Sequence, residues 1–467
     1  MTQKFDIVVI GGGPGGYPAA IRAAQRGKKV ALIEGSALGG TCLNRGCIPS
    51  KALIAGAELL EEIRNAGHFG IQTGPISIDY SALVTRKDLI ISKIRKSLEG
   101  LIKNNGIQVI KGFAKLVSSK RIEIADQEAI EADKIIIATG SEPRSMGAFP
   151  FDGKKIIDST DLLNLKELPK KLLIVGGGVI GCEFASMFQL LGVEIVILEM
   201  LSSLLPMECP SVSSALTKAF QKRGILIKTE SKVEKIDATD QGVKAWLASQ
   251  ETFEADLALI AVGRRMNLDC LNVEKLGIRL NTPSEIAVNE KMETNIPGIY
   301  AVGDIASKWW LAHVATHQGL VAADNACGIS SKMHYEAIPN VIFTRPEIAT
   351  VGLSIEEAKE KGFTPVLGQF PFSALGKSQA SNHTDGFAQI VVAEETGQIL
   401  GAQVVGHEAS NLIAEIALAI QNELTIESIQ ETIHAHPTLS ESWLEAALIA
   451  SKFPVHFPPQ KKENEIF

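Results

Sequence analysis

The sequence predicts an α/β protein that builds one β-α-β unit twice and then changes to an α+β region. Three observations carry that expectation. An apolar run ending in a spaced glycine triplet opens the chain, the same device returns near residue 171, and the hydrophobic pattern changes after residue 340. At 467 residues the chain exceeds one ordinary core, so about three domains are expected.

The first unit is FDIVVIGGGPGGYPAAIRAAQRGKKVALIE. The run Ile7 to Ile10 reads as a buried strand and ends in Gly11, Gly13 and Gly16. A helix is expected next, with Ala19, Ala20, Ala23 and Ala24 small enough for close packing. Pro18 is acceptable there because it falls in the first turn. A second strand, Val30 to Ile33, closes on Glu34. In this context the glycines permit a tight turn and let backbone N–H groups approach a pyrophosphate at a helix N-terminus. Glu34 would accept hydrogen bonds from a ribose diol.

The second unit is KLLIVGGGVIGCEFASMFQLLGVEIVILE, with Gly176, Gly178 and Gly181 and the terminal acid Glu199. The step from last glycine to acid is the same in both copies, Gly16 to Glu34 and Gly181 to Glu199. A lone glycine triplet is weak evidence; strand, helix and spaced acid occurring twice are strong. Two Rossmann-like dinucleotide-binding domains are therefore expected, hence two dinucleotides. Glu199 would repel the 2′-phosphate of NADP, so the second site takes NAD. The first then takes a different dinucleotide, FAD. ADKIIIATG, ending at Gly140, and ADLALIAVG, ending at Gly263, are a further repeated pair of strands.

Between the units lies GGTCLNRGCIPSK, with four residues between Cys42 and Cys47. Read alone, the pair is open to metal binding, a disulfide, redox catalysis or inert burial. Zinc would want a second Cys or His pair, and none stands beside it. The other four cysteines, Cys182, Cys209, Cys270 and Cys327, are scattered. In an ideal helix Cys42 and Cys47 would stand about 140° apart, so a bridge needs a distorted turn. Gly46 and Pro49 make that distortion plausible.

Composition points to a soluble globular protein, 45% hydrophobic and 21% charged. A net charge of −7 and a pI near 5.8 give no reason to expect nucleic acid or an anionic membrane as partner. No apolar run is long enough to span a bilayer, and MTQKFDIVVIGGG carries no signal-peptide pattern. A reducing, cytoplasmic setting is expected, in which a transient catalytic disulfide is more natural than a structural one.

GGTCLNRGCIPSK, the two glycine units, IYAVGDIA, IFTRPEIATVG and HAHPTLSE occur in that order. Together they resemble the pyridine nucleotide–disulfide oxidoreductases, over about residues 5–454. The likeness is to members that serve 2-oxo-acid dehydrogenase complexes and glycine cleavage. It implies an FAD enzyme with a redox-active disulfide that oxidises protein-bound dihydrolipoamide and reduces NAD. Cys42 would meet the substrate, and Cys47 would lie against the flavin as the charge-transfer thiolate. Lys51 would sit near the flavin and pair with Glu183. Asp304 would bind the ribityl chain; Ala312 and Ala114 would touch FAD through their backbones. Val233 and the run Ala261 to Arg264 would edge the NAD pocket. His436 would be the acid–base catalyst, oriented by Glu441, which it reaches if Pro437 opens a helix at its first turn. No proton transfer is assigned to His434, and His313 and His317 are read as structural.

The implied layout is residues 1–146 for FAD, 147–268 for NAD, 269–339 returning to complete the FAD side, and 340–467 as a C-terminal α+β dimerisation domain. FAQIVVAEETGQILGAQVVG reads as two strands around a Glu-Thr-Gly turn. The resemblance implies a homodimer in which His436 completes the partner's site. It also implies a lipoyl domain of an E2 acyltransferase, or the glycine-cleavage H protein, as partner. No metal site is expected. The polar end, FPPQKKENEIF, reads as a mobile or surface-lying tail. Met266 and Cys209 depart from the family pattern. A glutathione-reductase-like enzyme would want basic residues where Glu199 stands. A mercuric reductase would show a C-terminal cysteine pair, and no cysteine follows Cys327. A mycothione-type reductase and a non-catalytic scaffold are the other rivals.

Overall fold

The computed structural model describes residues 3–125, 127–269 and 271–458. Cys270 and the tail from residue 459 therefore lie outside the described residues. The chain divides into two compact units, each assembled from three stretches.

The first unit comprises Met1–Gly56, Ser77–Leu168 and Ile260–His334. Its sheet runs Gln108–Lys111, Val30–Glu34, Gln3–Ile10, Ile130–Ile137, Arg121–Ile124 and Ala114–Leu116, and Ile299–Ala301 also pairs with Ile130–Ile137. The first four strands and Ile299–Ala301 are parallel; the last two form an antiparallel edge. Val8, Val9, Ile135 and Ile136 are all fully buried, because parallel strands are covered on both faces. Helix Gly16–Gln25 follows the first strand, with Pro18 in its first turn where no intrahelical N–H is lost.

The second unit comprises Ala57–Ile76, Pro169–Leu259 and Tyr335–Phe467. Its strand order is Leu226–Lys228, Glu194–Leu198, Lys171–Val175, Leu257–Ile260, the first three parallel. This reproduces the order of the first sheet, so the duplication read in the sequence is also a duplication of topology. A three-stranded antiparallel sheet, Val233–Thr239, Gly242–Leu247 and Thr252–Ala255, accompanies it.

The same unit carries a five-stranded antiparallel sheet in the order Asn340–Ile342, Ile348–Gly352, Ile399–Val405, Phe387–Ala393, Pro365–Pro371. The two strands expected around the Glu-Thr-Gly turn are Phe387–Ala393 and Ile399–Val405, and Gly397 takes φ +70 between them. Helices Ala409–Gln421 and Glu441–Ala450 pack on this sheet around fully buried Trp443, whose indole N–H donates to Leu412 O at 3.0 Å. Among the described residues no helix is long and apolar enough to cross a membrane.

Candidate active site

In the first unit the three glycines of the loop divide the work. A Cβ on Gly16 would come within 1.8 Å of Gly11 O, so only glycine lets the helix seat against the strand. A Cβ on Gly13 would meet only Gly40 Cα, at 3.7 Å, so the loop is open on that side to an incoming phosphate. In the second unit Gly181 would strike Gly176 O at 2.0 Å, while Gly178 has nothing within 4 Å.

The acids are matched as well. Glu34 accepts the Gly12 and Ser36 N–H groups, both at 2.7 Å. Glu199 accepts those of Gly177 at 2.6 Å and Leu201 at 2.7 Å. Each carboxylate oxygen takes one backbone donor and retains acceptor capacity for a ribose hydroxyl. Open middle glycine, tight outer glycine and tethered acid all suit a dinucleotide in both loops.

Cys42 lies on helix Gly40–Arg45, and Cys47 starts helix Cys47–Asn65. Gly46 breaks the two apart at φ −148, ψ −112, the distortion that the spacing required. Both thiols are unbridged. The side-chain hydrogen bond to Cys47 pushes the Cys42 thiol well above its ordinary value; burial and the charge of Cys47 add to the rise, and Lys51 opposes it. The thiol helix begins at the nucleotide loop itself: Gly39 N–H donates to Gly12 O at 2.8 Å, and a Cβ on Gly40 would lie 2.6 Å from Gly13 Cα.

Asp304 sits in the short turn Gly303–Ala306. Ser141 Oγ donates to its carboxylate, and Arg264 Nε donates to Ser141 Oγ at 2.7 Å. Ser141 went unread in the sequence, because it stands 163 residues from Asp304. Arg264 and Gly263 fall in the first unit, whereas Val233, expected beside them, starts a strand of the second. Ala114 begins a strand, Ala312 begins helix Ala312–Ala326, and Gly140 precedes strand Ser141–Pro143. Lys51 belongs to the first unit; Glu183 belongs to the second, where it accepts Phe343 N–H at 3.0 Å.

In the second unit His436 Nδ1 lies 2.8 Å from Glu441 Oε1, and Thr438 N–H donates to Glu441 Oε2 at 2.8 Å. Burial alone would raise the Glu441 carboxyl, but the Thr438 and His436 hydrogen bonds outweigh it and hold it below the ordinary value. The pairing arises differently from expectation. Pro437 does not open the helix: it follows His436 through a cis peptide bond, and the helix starts at Glu441 itself, after Ser440. His434, with its side chain only 4% exposed, is held by Glu415 at 2.8 Å.

Two further clusters were not legible in the sequence. His456 Nδ1 lies 2.6 Å from Glu445 Oε1. Arg345 pairs with Glu61 at 2.9 Å and Glu62 at 2.7 Å beside a stacked His383–His407 pair, ring centroids 3.9 Å apart, on an open cavity of about 290 Å³. A helical i,i+4 step from Glu441 to Glu445 was the one available signal. Among the described residues no group of three His, Cys, Asp or Glu side chains is placed to hold a metal ion.

Residues 5–319 match the pyridine nucleotide-disulphide oxidoreductase model, and 338–447 match the dimerisation domain of the same family. The chain is 51% identical to dihydrolipoyl dehydrogenase of Chlamydia pneumoniae over 98% of its length and all of that protein. It is 40% identical to dihydrolipoyl dehydrogenase of Bacillus subtilis, over 97% of its length and all of that protein. Among solved structures it is similar to LpdA from Mycobacterium tuberculosis, with TM-score 0.89 and 31% identity over 96% of this chain and 99% of that one. It is also similar to the HOCl-induced flavoprotein disulfide reductase RclA from Escherichia coli, with TM-score 0.84 and 29% identity over 94% of this chain and 98% of that one.

Proposed function

Because this chain belongs to the pyridine nucleotide-disulphide oxidoreductase family, we propose that it oxidises protein-bound dihydrolipoamide to lipoamide through Cys42 and Cys47 and reduces NAD+. The observation that carries this reading is the Cys42–Cys47 pair across the Gly46 break, on a helix that begins against the Gly13 loop. A dithiol next to an FAD loop is what thiol-to-flavin transfer requires. Likeness to dihydrolipoyl dehydrogenases over the full chain supports the substrate.

His436, oriented by Glu441, takes the proton from one substrate thiol. The thiolate attacks Cys42 Sγ of the oxidised pair; a substrate–Cys42 bond forms, the Cys42–Cys47 bond breaks, and Cys47 leaves as thiolate. The second substrate thiol gives its proton to the departing Cys42 sulfur as it displaces it, closing lipoamide, while His436 keeps the first proton. Two electrons now rest on the protein dithiol, with a proton on Cys42. FAD, when bound, would supply the two-electron chemistry that links this dithiol to NAD+. Gly11, Gly13, Gly16, Glu34, Lys51, Ala114, Gly140, Asp304 and Ala312 hold the flavin. Gly176, Gly178, Gly181, Glu199, Val233 and Gly263 hold the nicotinamide nucleotide, and Glu183 pairs with Lys51.

Residues 1–146 and 269–339 form the FAD side, 147–268 the NAD domain, and 340–467 the dimerisation domain. The homodimer lends His436 to its partner's thiols. The lipoyl arm comes from an E2 acyltransferase or a glycine-cleavage H protein, in the cytoplasm. A disulfide reductase for another small thiol is the second reading, favoured by the likeness to RclA. Visible spectra decide between them. The purified protein should show flavin bands, form a long-wavelength band with dihydrolipoamide, and yield NADH when NAD+ is added. Flavin that ignores dihydrolipoamide would leave the second reading; absence of flavin would overturn both.

A further inference from the structure

Helix Glu441–Ala450 carries two acids one turn apart, Glu441 and Glu445, and each holds an imidazole by Nδ1. His436 meets Glu441 at 2.8 Å; His456 meets Glu445 at 2.6 Å and also donates its backbone N–H to Glu445 Oε2 at 3.2 Å. Both rings are open to solvent, with side chains 77% and 72% exposed. Glu445 itself is buried, so its charge is met by His456 rather than by water. Residues four apart on a helix share a face. His456 also lies beyond the stretch matched by the dimerisation model, which ends at 447.

We propose that His456, held by Glu445, is a positioning residue that sets the proton affinity of His436 from one helical turn away. This rests on the reading of His436 as the acid–base group. The titratable and charged groups around the two dyads are Glu441 and Glu445 on the helix, His434 with its partner Glu415 on helix Ala409–Gln421, and Lys377 and Glu408, which line the cavity beside Pro437–Ser440. The side-chain hydrogen bond to Glu445, then its charge, favours protonated His456, and the Glu441 charge reaches it too. With His456 protonated, its charge offsets that of the Glu445 carboxylate it touches. Removing either member leaves a net charge beside the His436 dyad, of opposite sign in the two cases.

His456→Asn leaves the Glu445 carboxylate without its cation, so His436 holds its proton harder and the acid limb of kcat/KM moves to higher pH. Glu445→Gln leaves the imidazolium without its anion, so the limb moves to lower pH. Each shift should be about half a pH unit, shrinking at high salt. The experiment is the pH profile of kcat/KM for dihydrolipoamide with full-length flavin-loaded enzyme, comparing wild type, both variants and His436→Gln. Opposite shifts support the proposal. Unmoved limbs, whatever the thermal stability, overturn it, as do shifts of one sign. If Glu445→Gln fails to fold, the surface variant His456→Asn decides by its own sign. Full activity in His436→Gln would instead overturn the underlying assignment of the base.

Discussion

At the scale of single residues, the stacked His383–His407 pair makes a measurable claim about acid stability. Burial, and then the Arg345 charge, hold His383 below the ordinary imidazole value of 6.5. Burial, and then His383 and Arg345, do the same to His407. A depressed folded value means that the unfolded chain binds the proton first. The contribution to stability is whole above about pH 6.5 and is lost as pH falls toward the folded values. His383→Gln should therefore show a smaller drop in Tm between about pH 7.5 and pH 5.5 than wild type. An equal drop would mean that the stack does not titrate with folding. No short motif announced this cluster: Arg345 and Glu62 are 283 residues apart and meet only through the tertiary fold.

At the scale of elements, the two glycine loops behave as separable parts. Gly181→Ala places a methyl 2.0 Å from Gly176 O and must push helix Val179–Leu190 off its strand. We expect KM for NAD+ to rise by at least about tenfold while flavin content stays at wild-type level. Gly16→Ala strikes Gly11 O at 1.8 Å and should instead lower flavin content, read by absorbance after gel filtration. Loss of flavin in Gly181→Ala would contradict this separation. These loops were legible because their logic is local: strand, turn, helix and acid fall within about thirty residues of one another. The Cys42–Cys47 pair was legible for the same reason, down to the break at Gly46. The start of helix Glu441–Ala450 was not, since a proline licenses a first turn without requiring one. Ser141, Glu445 and His456 stayed hidden because their neighbours are supplied by other strands and turns.

At the scale of the whole molecule, the proposed site draws on two subunits, and mixing tests it. Cys42→Ser and His436→Gln homodimers should each be inactive. Unfolded and refolded together, they form hybrids with one intact site, so about a quarter of wild-type activity should return for random pairing. No recovery from mixtures of verified hybrids would place His436 with the cysteines of its own chain. The first unit also has a history built into its connectivity. Strand Ile130–Ile137 leaves a place beside itself that is taken by Ile299–Ala301, more than 160 residues later in the chain. On a ribosome adding about 5–20 residues per second, the nascent first unit waits on the order of ten seconds or more for that strand and for Asp304 behind it. During that interval the second glycine loop, its helix and its paired strands have already emerged whole. The segment that begins synthesis thus waits on a strand made long after it, and a message truncated before codon 299 encodes a glycine loop without the strand and the acid that complete it.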